Sequence, residues 1–574
     1  MTADVATVRW QMAEPMRRLL LRPAGLPLAD WLGDGTATVI KDGPHRAVYR
    51  VRLPHLDCHV KHYRVLGWRS RVRQLIRPVK AMREATIAND LAARGIPTPE
   101  ALAWGVESAG LGPRASWLIT KTVGDSIPLN SYLESILPTL SPKLQTRTRQ
   151  RLARAVGRFL TRLHAAGLIH HDLHPGNLLV RMTADGEPML WLIDLHAVRL
   201  GPACRWPARR ENLVVFNRYF QLRASRSDRL RFWRSYAAAA GDAIPEPARF
   251  TVTRLESDTE RSNLRLWRKR DARCRRSNRY YRRINSDAVR GFAVRNLDPS
   301  ALAALTADPD AAFERPGVRV LKSSRSSTVV ELDLTAGGAS RPVVYKRFRV
   351  TDRRDPWLGL VRRSGALRSW VYGHGLRERR LPTPRPLAVF HRTRRGLPHE
   401  AYLLTEKVEN AVDVREFLRR MIGNDPEQSR EGAKQSGGIR CEFATSCEIR
   451  ARAAALARLL CQMHQRGLSH RDLKASNLLT STALGDARFW FIDLVGVRRH
   501  DRIGRRRKVR DLMRLHVSLL SHPLITRTER LRFLKTYLQA GLTGAAGWKD
   551  RWRAIAAAAE AKVQQNLRSG RPLG

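Results

Sequence analysis

Alternating apolar and polar residues mark two short stretches near the start of the chain. They are HRAVYRVRL, residues 45–53, and CHVKHY, residues 58–63. A period of two is typical of strands, and the short gap between the stretches predicts a hairpin. Lys61 falls on the second strand of this hairpin.

Apolar residues with helical spacing follow the hairpin. The stretch AMREATIANDLAARG predicts a helix that ends at Gly95, because the PTP run that follows cannot continue a helix. RLARAVGRFLTRLHAAG, residues 151–167, predicts a second amphipathic helix. This order predicts an α+β fold, in which a small lobe of antiparallel sheet and one helix precedes a mainly helical lobe.

The same pattern occurs twice along the chain. Lys346 in YKRFR lies 285 positions after Lys61 in VKHYR, whereas His464 lies 300 positions after His164. Fifteen extra residues must therefore enter the second copy between these landmarks. The polar segment 423–438 is predicted to be this insertion and to form a loop.

The repeat predicts two tandem bilobal domains. We expect the first over residues 26–285 and the second over residues 311–574. Residues 1–25 would be an N-terminal extension, and residues 286–310 would be a linker. A chain of 574 residues is long enough for each half to bury a core of its own.

Both copies carry one polar motif after the second helix. The first reads LIHHDLHPGNLLV followed by LWLIDLHAV, and the second reads LSHRDLKASNLLT followed by FWFIDLVGV. A His, an Asp two residues on and an Asn five beyond that share a loop, and a further Asp ends an apolar strand. The residues are His170, Asp172, Asn177 and Asp194 in the first copy and His470, Asp472, Asn477 and Asp493 in the second.

These groups suit phosphoryl transfer from ATP, in which catalysis consists of positioning and of neutralising charge around the nucleotide and Mg²⁺. Asp172 and Asp472 are predicted to orient the attacking hydroxyl group and to accept its proton. The hard oxygen ligands that Mg²⁺ prefers are offered by Asn177, Asp194, Asn477 and Asp493. The motif is specific for the protein-kinase-like superfamily and leaves the acceptor open.

A lysine upstream of each motif completes the predicted nucleotide site. Lys61 and Lys346 would contact the phosphates, and Glu84 on the next helix would pair with Lys61. His170 and His470 are predicted to support the loop rather than to transfer protons.

The second copy departs from this pattern. At the offset of 285, Ser369 stands where the first copy has Glu84, so the lysine–glutamate pair is missing. Neither copy has a convincing glycine-rich phosphate loop, since the first offers KDGPHRAV with Gly43 and the second offers KSSRSSTV. The second copy therefore has the weaker claim to activity.

Charge points to an anionic partner. Lys and Arg number 105 against 52 acidic residues, giving a formal net charge of +53. Nucleic acid, an anionic membrane surface and a phosphorylated glycolipid would each fit, as would a merely solvated basic surface. The absence of zinc-finger spacing or an RNA-recognition motif argues against nucleic acid. The N-terminus does not resemble a secretory signal and no run is long enough to span a membrane, so we expect a cytoplasmic protein.

The motifs resemble those of the lipopolysaccharide core kinase family. The resemblance lies in REATIANDLAARGIPTPEALAWG, in HHDLHPGNLLV with IDLHAVRL, in SDRLRFWRSY, and in the corresponding segments of the second half. It implies a bacterial kinase that uses ATP and Mg²⁺ to phosphorylate a Kdo or heptose hydroxyl. The acceptor would be the lipid-linked, anionic lipopolysaccharide core, met by a peripheral protein at the cytoplasmic face of the inner membrane.

Two other functions stay open on the sequence alone. A protein Ser/Thr kinase is supported by HRDLKASN in the second copy, although no Phe-Gly follows either strand-ending Asp. A tandem pseudokinase scaffold that binds an anionic partner is supported by Ser369 and by the poor glycine loops.

Overall fold

The computed structural model describes residues 7–66, 78–108, 112–245, 247–315, 318–336, 339–350, 363–394, 397–423, 437–541 and 547–570. The chain divides into two compact units, Met1–Ser262 and Asn263–Gly574. Helices and sheets alternate through both units, so the α+β prediction is confirmed. No helix among the described residues is long and apolar enough to cross a membrane.

The first unit opens with a six-stranded antiparallel sheet in the order β1-β5-β6-β4-β3-β2. Its strands are β1 Thr7–Met12, β2 Ala37–Lys41, β3 Arg46–Leu53, β4 Leu56–Arg64, β5 Ala101–Ser108 and β6 Pro113–Lys121. Three helices accompany this sheet: α1 Glu14–Leu20, α2 Leu28–Gly33 and α3 Lys80–Ala93. The predicted hairpin is confirmed as β3 and β4, with Val48 opposite Lys61. Helix α3 ends just before Gly95, which takes a left-handed φ of +65°.

The rest of the first unit is mainly helical. Its helices are α4 Leu129–Ser131, α5 Pro142–Ala165, α6 Trp206–Phe220, α7 Arg226–Ala240 and α8 Ala248–Asp271, the last of which continues into the second unit. Short strands lie among them as two small sheets: β7 Ile127–Pro128, β8 Leu168–His170, β9 Leu178–Met182, β10 Pro188–Leu192 and β11 Val198–Leu200. A large apolar core joins α5, α6 and α7 to these strands.

The second unit repeats this order with a seven-stranded antiparallel sheet, β12-β13-β17-β18-β16-β15-β14. The strands are β12 Tyr281–Asn285, β13 Val289–Val294, β14 Arg319–Ser324, β15 Ser327–Ala336, β16 Ala339–Phe348, β17 Pro386–Arg394 and β18 Leu397–Glu406. Helices α9 Pro299–Ala307, α10 Ala311–Glu314 and α11 Gly365–Glu378 accompany them. Val329 lies opposite Lys346, as Val48 lies opposite Lys61.

The helical part of the second unit matches that of the first. Its helices are α12 Val414–Gly423, α13 Gly437–Gln465, α14 Arg505–Ser518, α15 Arg527–Ala540 and α16 Trp548–Arg568. Its short strands are β19 Ala411–Asp413, β20 Leu468–His470, β21 Leu478–Ser481, β22 Phe489–Phe491 and β23 Val497–Arg499. Most of the predicted insertion, residues 424–436, lies outside the described residues.

Two segments differ from the sequence-based expectation. The predicted extension, residues 1–25, supplies β1, which pairs with β5. The predicted linker, residues 286–310, supplies β13, which pairs with β17 in the same way, and also α9. Met12 lies opposite Ala103 and Ala293 opposite Ala388, so the two strands are equivalent parts of the repeat. Each segment therefore contributes a strand to the sheet of its own unit.

The physical reason is that these strands lie near the sheet margin and carry arginines on their outer face. In β13 the sequence VRGFAV buries Val289, Ala293 and Val294 but exposes Arg290. Apolar and polar residues do not alternate regularly through these six positions, so the pattern alone does not distinguish a strand from a loop.

A buried ion pair holds the last residue of α8 in the second unit. Arg379 donates to both carboxylate oxygens of Asp271 at 2.8 and 2.9 Å, and Arg499 approaches the same carboxylate at 3.1 Å. Arg379 is fully buried and its guanidinium lies 5.1 Å from the Trp267 ring. A planar guanidinium fits a carboxylate in this two-point geometry.

We expect Asp271→Ala to destabilise the second unit by about 3–5 kcal/mol, because Arg379 would keep a buried charge without its partner. Chemical unfolding followed by tryptophan fluorescence would measure the loss. The double variant Asp271→Ala/Arg379→Met should recover part of it. Asp550→Ala is the control, since that carboxylate is largely exposed. A loss no larger than that of the control would contradict the structural role assigned to the pair.

Buried histidines should make the stability pH-dependent. Burial, reinforced by Arg377 and Arg385, lowers the pKa of His374 to about 3. The unfolded chain takes up that proton near pH 6.5, so between these values it binds more protons than the folded chain. Stability contributed by the neutral ring is complete above about pH 6.5 and is lost as the pH falls toward 3.

We therefore expect His374→Phe to lose less stability than the unaltered protein between about pH 7.5 and about pH 5, by about 2 kcal/mol. Denaturant unfolding at the two pH values measures this difference. Equal losses in both proteins would mean that His374 is already protonated, or exposed, in the folded chain.

Candidate active site

The loop that follows β8 is held together by its own histidine. His170 is fully buried, and its Nδ1 accepts a hydrogen bond from the backbone N–H of Asp172 at 3.2 Å. Asn212 on α6 donates to the carbonyl oxygen of His170 at 2.7 Å. Burial lowers the pKa of His170 to about 4, so the ring is neutral near pH 7. These contacts fit the predicted supporting role.

The same loop presents Asp172 toward solvent and Asn177 toward the interior. The Asp172 side chain is 79% exposed, and His174 lies 3.8 Å from its carboxylate. Asn177 is buried and donates through Nδ2 to the Asp172 carbonyl oxygen at 2.8 Å. The Asp172 carboxylate can therefore meet a large acceptor while its backbone stays fixed.

Asp194 stands two residues beyond the end of β10 in a left-handed conformation, with φ 64°. Two cationic side chains approach its carboxylate, Arg46 at 2.6 Å and Lys61 at 3.8 Å, and the His196 ring lies 3.7 Å away. Burial raises the pKa of Asp194, but the charges of Lys61 and Arg46 and the Arg46 hydrogen bond outweigh it and lower the pKa. The group is therefore an anion that attracts cations.

Glu84 on α3 is the other buried anion of this site. Lys61 donates to one of its oxygens at 2.9 Å, so the predicted pairing is present. The Tyr63 hydroxyl donates to the other oxygen at 2.7 Å, and the backbone N–H of His196 donates to it at 3.2 Å. Burial raises the pKa of Glu84, but the Lys61 charge and these hydrogen bonds outweigh it and lower the pKa well below its usual range.

Sequence reasoning missed Arg46, Tyr63 and His196. Tyr63 carried a signal, since it lies two residues after Lys61 on the same strand face. His196 lies two residues after Asp194, at the position where the kinase Asp-Phe-Gly motif has its glycine. Arg46 can be assigned to the site only when the hairpin register is known, because that register places it opposite Tyr63.

The second unit arranges its loop in the same way. His470 is buried, and its Nδ1 accepts from the backbone N–H of Asp472 at 3.3 Å. Asn477 donates to the Asp472 carbonyl oxygen at 2.8 Å and to its carboxylate at 3.0 Å. Burial lowers the pKa of His470. Lys474 and Arg514 lie 3.5 and 4.0 Å from the Asp472 carboxylate, which is 48% exposed and thus more enclosed than Asp172.

Lys346 makes different contacts from Lys61. Its Nζ lies 3.0 Å from Asp493, which has φ 52° and so repeats the backbone of Asp194. The Lys346 ammonium also lies 4.7 Å from the Phe348 ring centroid. Burial raises the pKa of Asp493, but the charge and hydrogen bond of Lys346 lower it overall. Lys346 therefore pairs with Asp493, the predicted metal ligand, whereas Lys61 pairs with Glu84.

The polar groups around Glu84 are replaced together in the second unit. The sequence offsets and the strand registers align the residues of the two units. Glu84 is replaced by Ser369, Tyr63 by Phe348, His196 by Val495 and Arg46 by Ser327. Glu378, the acidic residue near the end of α11, pairs with Arg270 at 2.8 Å instead. A buried hydroxyl without a carboxylate partner would be costly, which explains why the tyrosine changes with the glutamate.

The donor sets fit the nucleotide and metal that the motifs imply. In the first unit the carboxylates of Glu84 and Asp194 and the His196 ring lie within 4.8 Å of one another, and two basic side chains already crowd Asp194. Asp194 and Asn177 offer oxygen atoms, which suit Mg²⁺. Lys61 and Arg46 offer the positive charge that phosphates require.

Comparison with known proteins agrees with these motifs. A model of the lipopolysaccharide kinase (Kdo/WaaP) family matches residues 44–236 and 444–537, which together make up half of the chain. The matched ranges include the lysine, glutamate and loop residues of the first unit and the loop residues of the second.

Several characterised proteins are similar over part of the chain. The lipopolysaccharide core heptose(I) kinase WaaP of Pseudomonas aeruginosa is 26% identical over 198 residues, covering 33% of this chain and 67% of that protein. The 3-deoxy-D-manno-octulosonic acid kinase of Xanthomonas oryzae pv. oryzae is 32% identical over 176 residues, covering 30% and 56%. That of Xanthomonas campestris pv. campestris is 29% identical over 238 residues, covering 39% and 88%.

A solved structure of WaaP in complex with acyl carrier protein also matches, with 20% identity and a TM-score of 0.32, over 44% of this chain and 98% of that one. Because one family model matches segments of both units over half of the sequence, the chain belongs to the lipopolysaccharide kinase (Kdo/WaaP) family.

Proposed function

We propose that this protein is an ATP- and Mg²⁺-dependent kinase of a sugar hydroxyl, Kdo or heptose, in the lipopolysaccharide inner core. Each unit is proposed to be a bilobal protein-kinase-like domain, with the first as the principal site of turnover. The observation that carries the proposal is the convergence of Lys61, Glu84 and Asp194 beside the loop that bears Asp172 and Asn177.

The basic groups of the first unit would bind and orient the phosphates. Lys61 is fixed by Glu84, which is itself held by Tyr63 and by the backbone of His196. A lysine with a fixed direction loses little freedom when it meets an anion. Bound to Asp194 and Asn177, Mg²⁺ would neutralise charge on the transferred phosphoryl group.

Asp172 would act on the acceptor. Its carboxylate is exposed beside a backbone that His170 and Asn177 fix. It would accept a hydrogen bond from the attacking sugar hydroxyl and take its proton as the bond from the sugar oxygen to the γ-phosphorus forms and the bond from that phosphorus to the ADP oxygen breaks. His170 is buried and its Nδ1 already accepts a hydrogen bond from the loop backbone, which leaves the exposed Asp172 as the base.

The acceptor and the location follow from charge. A net charge of +53 suits an anionic, lipid-linked saccharide at a membrane surface. Arg505, Arg506 and Arg507 are exposed at the start of α14 and would contribute to such a surface. We propose peripheral association with the cytoplasmic face of the inner membrane.

A binding role without turnover is the second candidate for the second unit. Lys346 contacts Asp493 directly, and Ser369 gives it no carboxylate partner. Its catalytic loop is nevertheless arranged like that of the first unit, so slow transfer by this unit is also compatible with its geometry.

The first test is phosphate incorporation from labelled ATP into purified lipid A–core acceptors. The double variant Asp172→Ala/Asp472→Ala should lower the rate at least about a hundredfold, because each unit would lose its base. Asp185→Ala, an exposed residue of the first unit, is the control. Undiminished phosphate transfer by the double variant would contradict the proposed function. Transfer to proteins but not to glycolipids would favour a protein kinase.

The second test compares one position in the two units. Glu84→Gln should lower incorporation at least about tenfold, because a neutral amide holds Lys61 less firmly. Ser369→Ala at the equivalent position should leave the rate unchanged. If only Ser369→Ala reduced the rate, turnover would belong to the second unit.

A further inference from the structure

Arg46 contacts the predicted metal ligand more closely than any residue of the sequence motifs does. Its Nη1 lies 2.6 Å from one oxygen of Asp194 and its Nη2 lies 3.4 Å from the other. Lys61 approaches the first of these oxygens at 3.8 Å. Only 20% of the Arg46 side chain is exposed. Two cations thus share one carboxylate in the interior of the first unit.

The strand register explains this convergence. Arg46 lies opposite Tyr63 and Val48 lies opposite Lys61 in the β3–β4 hairpin. Residues directly opposite one another project from the same face of a sheet. Arg46 and Lys61 therefore belong to one face, which is turned toward Glu84 and Asp194.

The two cations differ in what else holds them. Lys61 has Glu84 at 2.9 Å, whereas Asp194 is the acidic partner of Arg46 in the described part of the first unit. A divalent cation bound to Asp194 would repel the Arg46 guanidinium and would bind the Asp194 carboxylate oxygens that Arg46 contacts. Arg46 would then need another anion within reach, and Lys61 would not.

We propose that Arg46 is a phosphate-binding residue of the first unit, paired with Asp194 before metal and nucleotide bind and with nucleotide phosphate once Asp194 holds Mg²⁺. This inference rests on the proposed function of the site as a metal–nucleotide site. A guanidinium can meet two phosphate oxygens at once, which supplies geometry as well as charge. It also offers a substitute for the glycine-rich phosphate loop that the sequence lacks, because Arg46 follows the turn after β2 directly.

At the register position of Arg46 the second unit carries a serine. Ser327 lies opposite Phe348, as Arg46 lies opposite Tyr63. A serine at this point offers one hydroxyl group and no charge. The proposed contact between a guanidinium and phosphate at this register position therefore belongs to the first unit.

Isothermal titration of ATP into the full chain tests the proposal, with and without Mg²⁺. The background variant Lys346→Ala/Asp493→Asn removes the charged pair of the second unit, so that the first unit dominates binding. In this background Arg46→Gln should weaken Mg·ATP binding on the order of tenfold or more. Without Mg²⁺ it should change the affinity much less, since Arg46 would remain on Asp194. Arg46→Lys should be intermediate, and exposed Arg52→Gln is the matched control from the same strand.

The outcomes separate the alternatives. Unchanged or tighter Mg·ATP binding in Arg46→Gln would overturn the inference and leave Arg46 as an ion-pair partner that competes with the metal. A lower melting temperature with unchanged affinity would likewise assign it a purely structural role. Absence of nucleotide binding by the unaltered chain would overturn the proposed function, and this inference with it.

Discussion

The site of the first unit depends on one buried anion. Glu84 is 1% exposed, and a carboxylate so far from water is tolerated only with full hydrogen bonding and a nearby positive charge. Three donors meet this need, and they come from two separate parts of the chain: Lys61 and Tyr63 from β4, and the backbone of His196 from the segment after β10. Satisfying the glutamate thus brings sheet, helix and metal-ligand segment together.

The second unit shows what happens when that anion is absent. With Ser369 in its place, the tyrosine becomes Phe348 and the histidine becomes Val495, and both side chains lie close to Gly365. The interior is filled by apolar contact where the first unit uses charge. Lys346 instead pairs with the Asp493 carboxylate and lies near the Phe348 ring. Burying fewer charges is compatible with stability, but it leaves the lysine bound to the group that a metal would need.

The sequence predicted local elements and missed what depends on register. The hairpin, the α3 helix ending at Gly95 and the Lys61–Glu84 pair follow from periodicity and from spacing along one chain segment. The contact of Arg46 with Asp194 joins residues 148 positions apart and depends on how β3 pairs with β4. The strands β1 and β13 were missed because each has only six residues, and their role is defined by pairing with β5 and β17.

Helix α8 determines where the chain can be divided into fragments. The division between the units falls inside it, after Ser262, and its two ends serve different cores. On the first side, Asn217 donates to Thr259, and on the second, Asp271 neutralises the buried Arg379. A gene fragment that starts after Asp271 gives a second unit with an unpaired buried arginine, and one that stops before Thr259 removes part of a helix from the first unit. One uninterrupted helix therefore carries the end of the first unit into the beginning of the second.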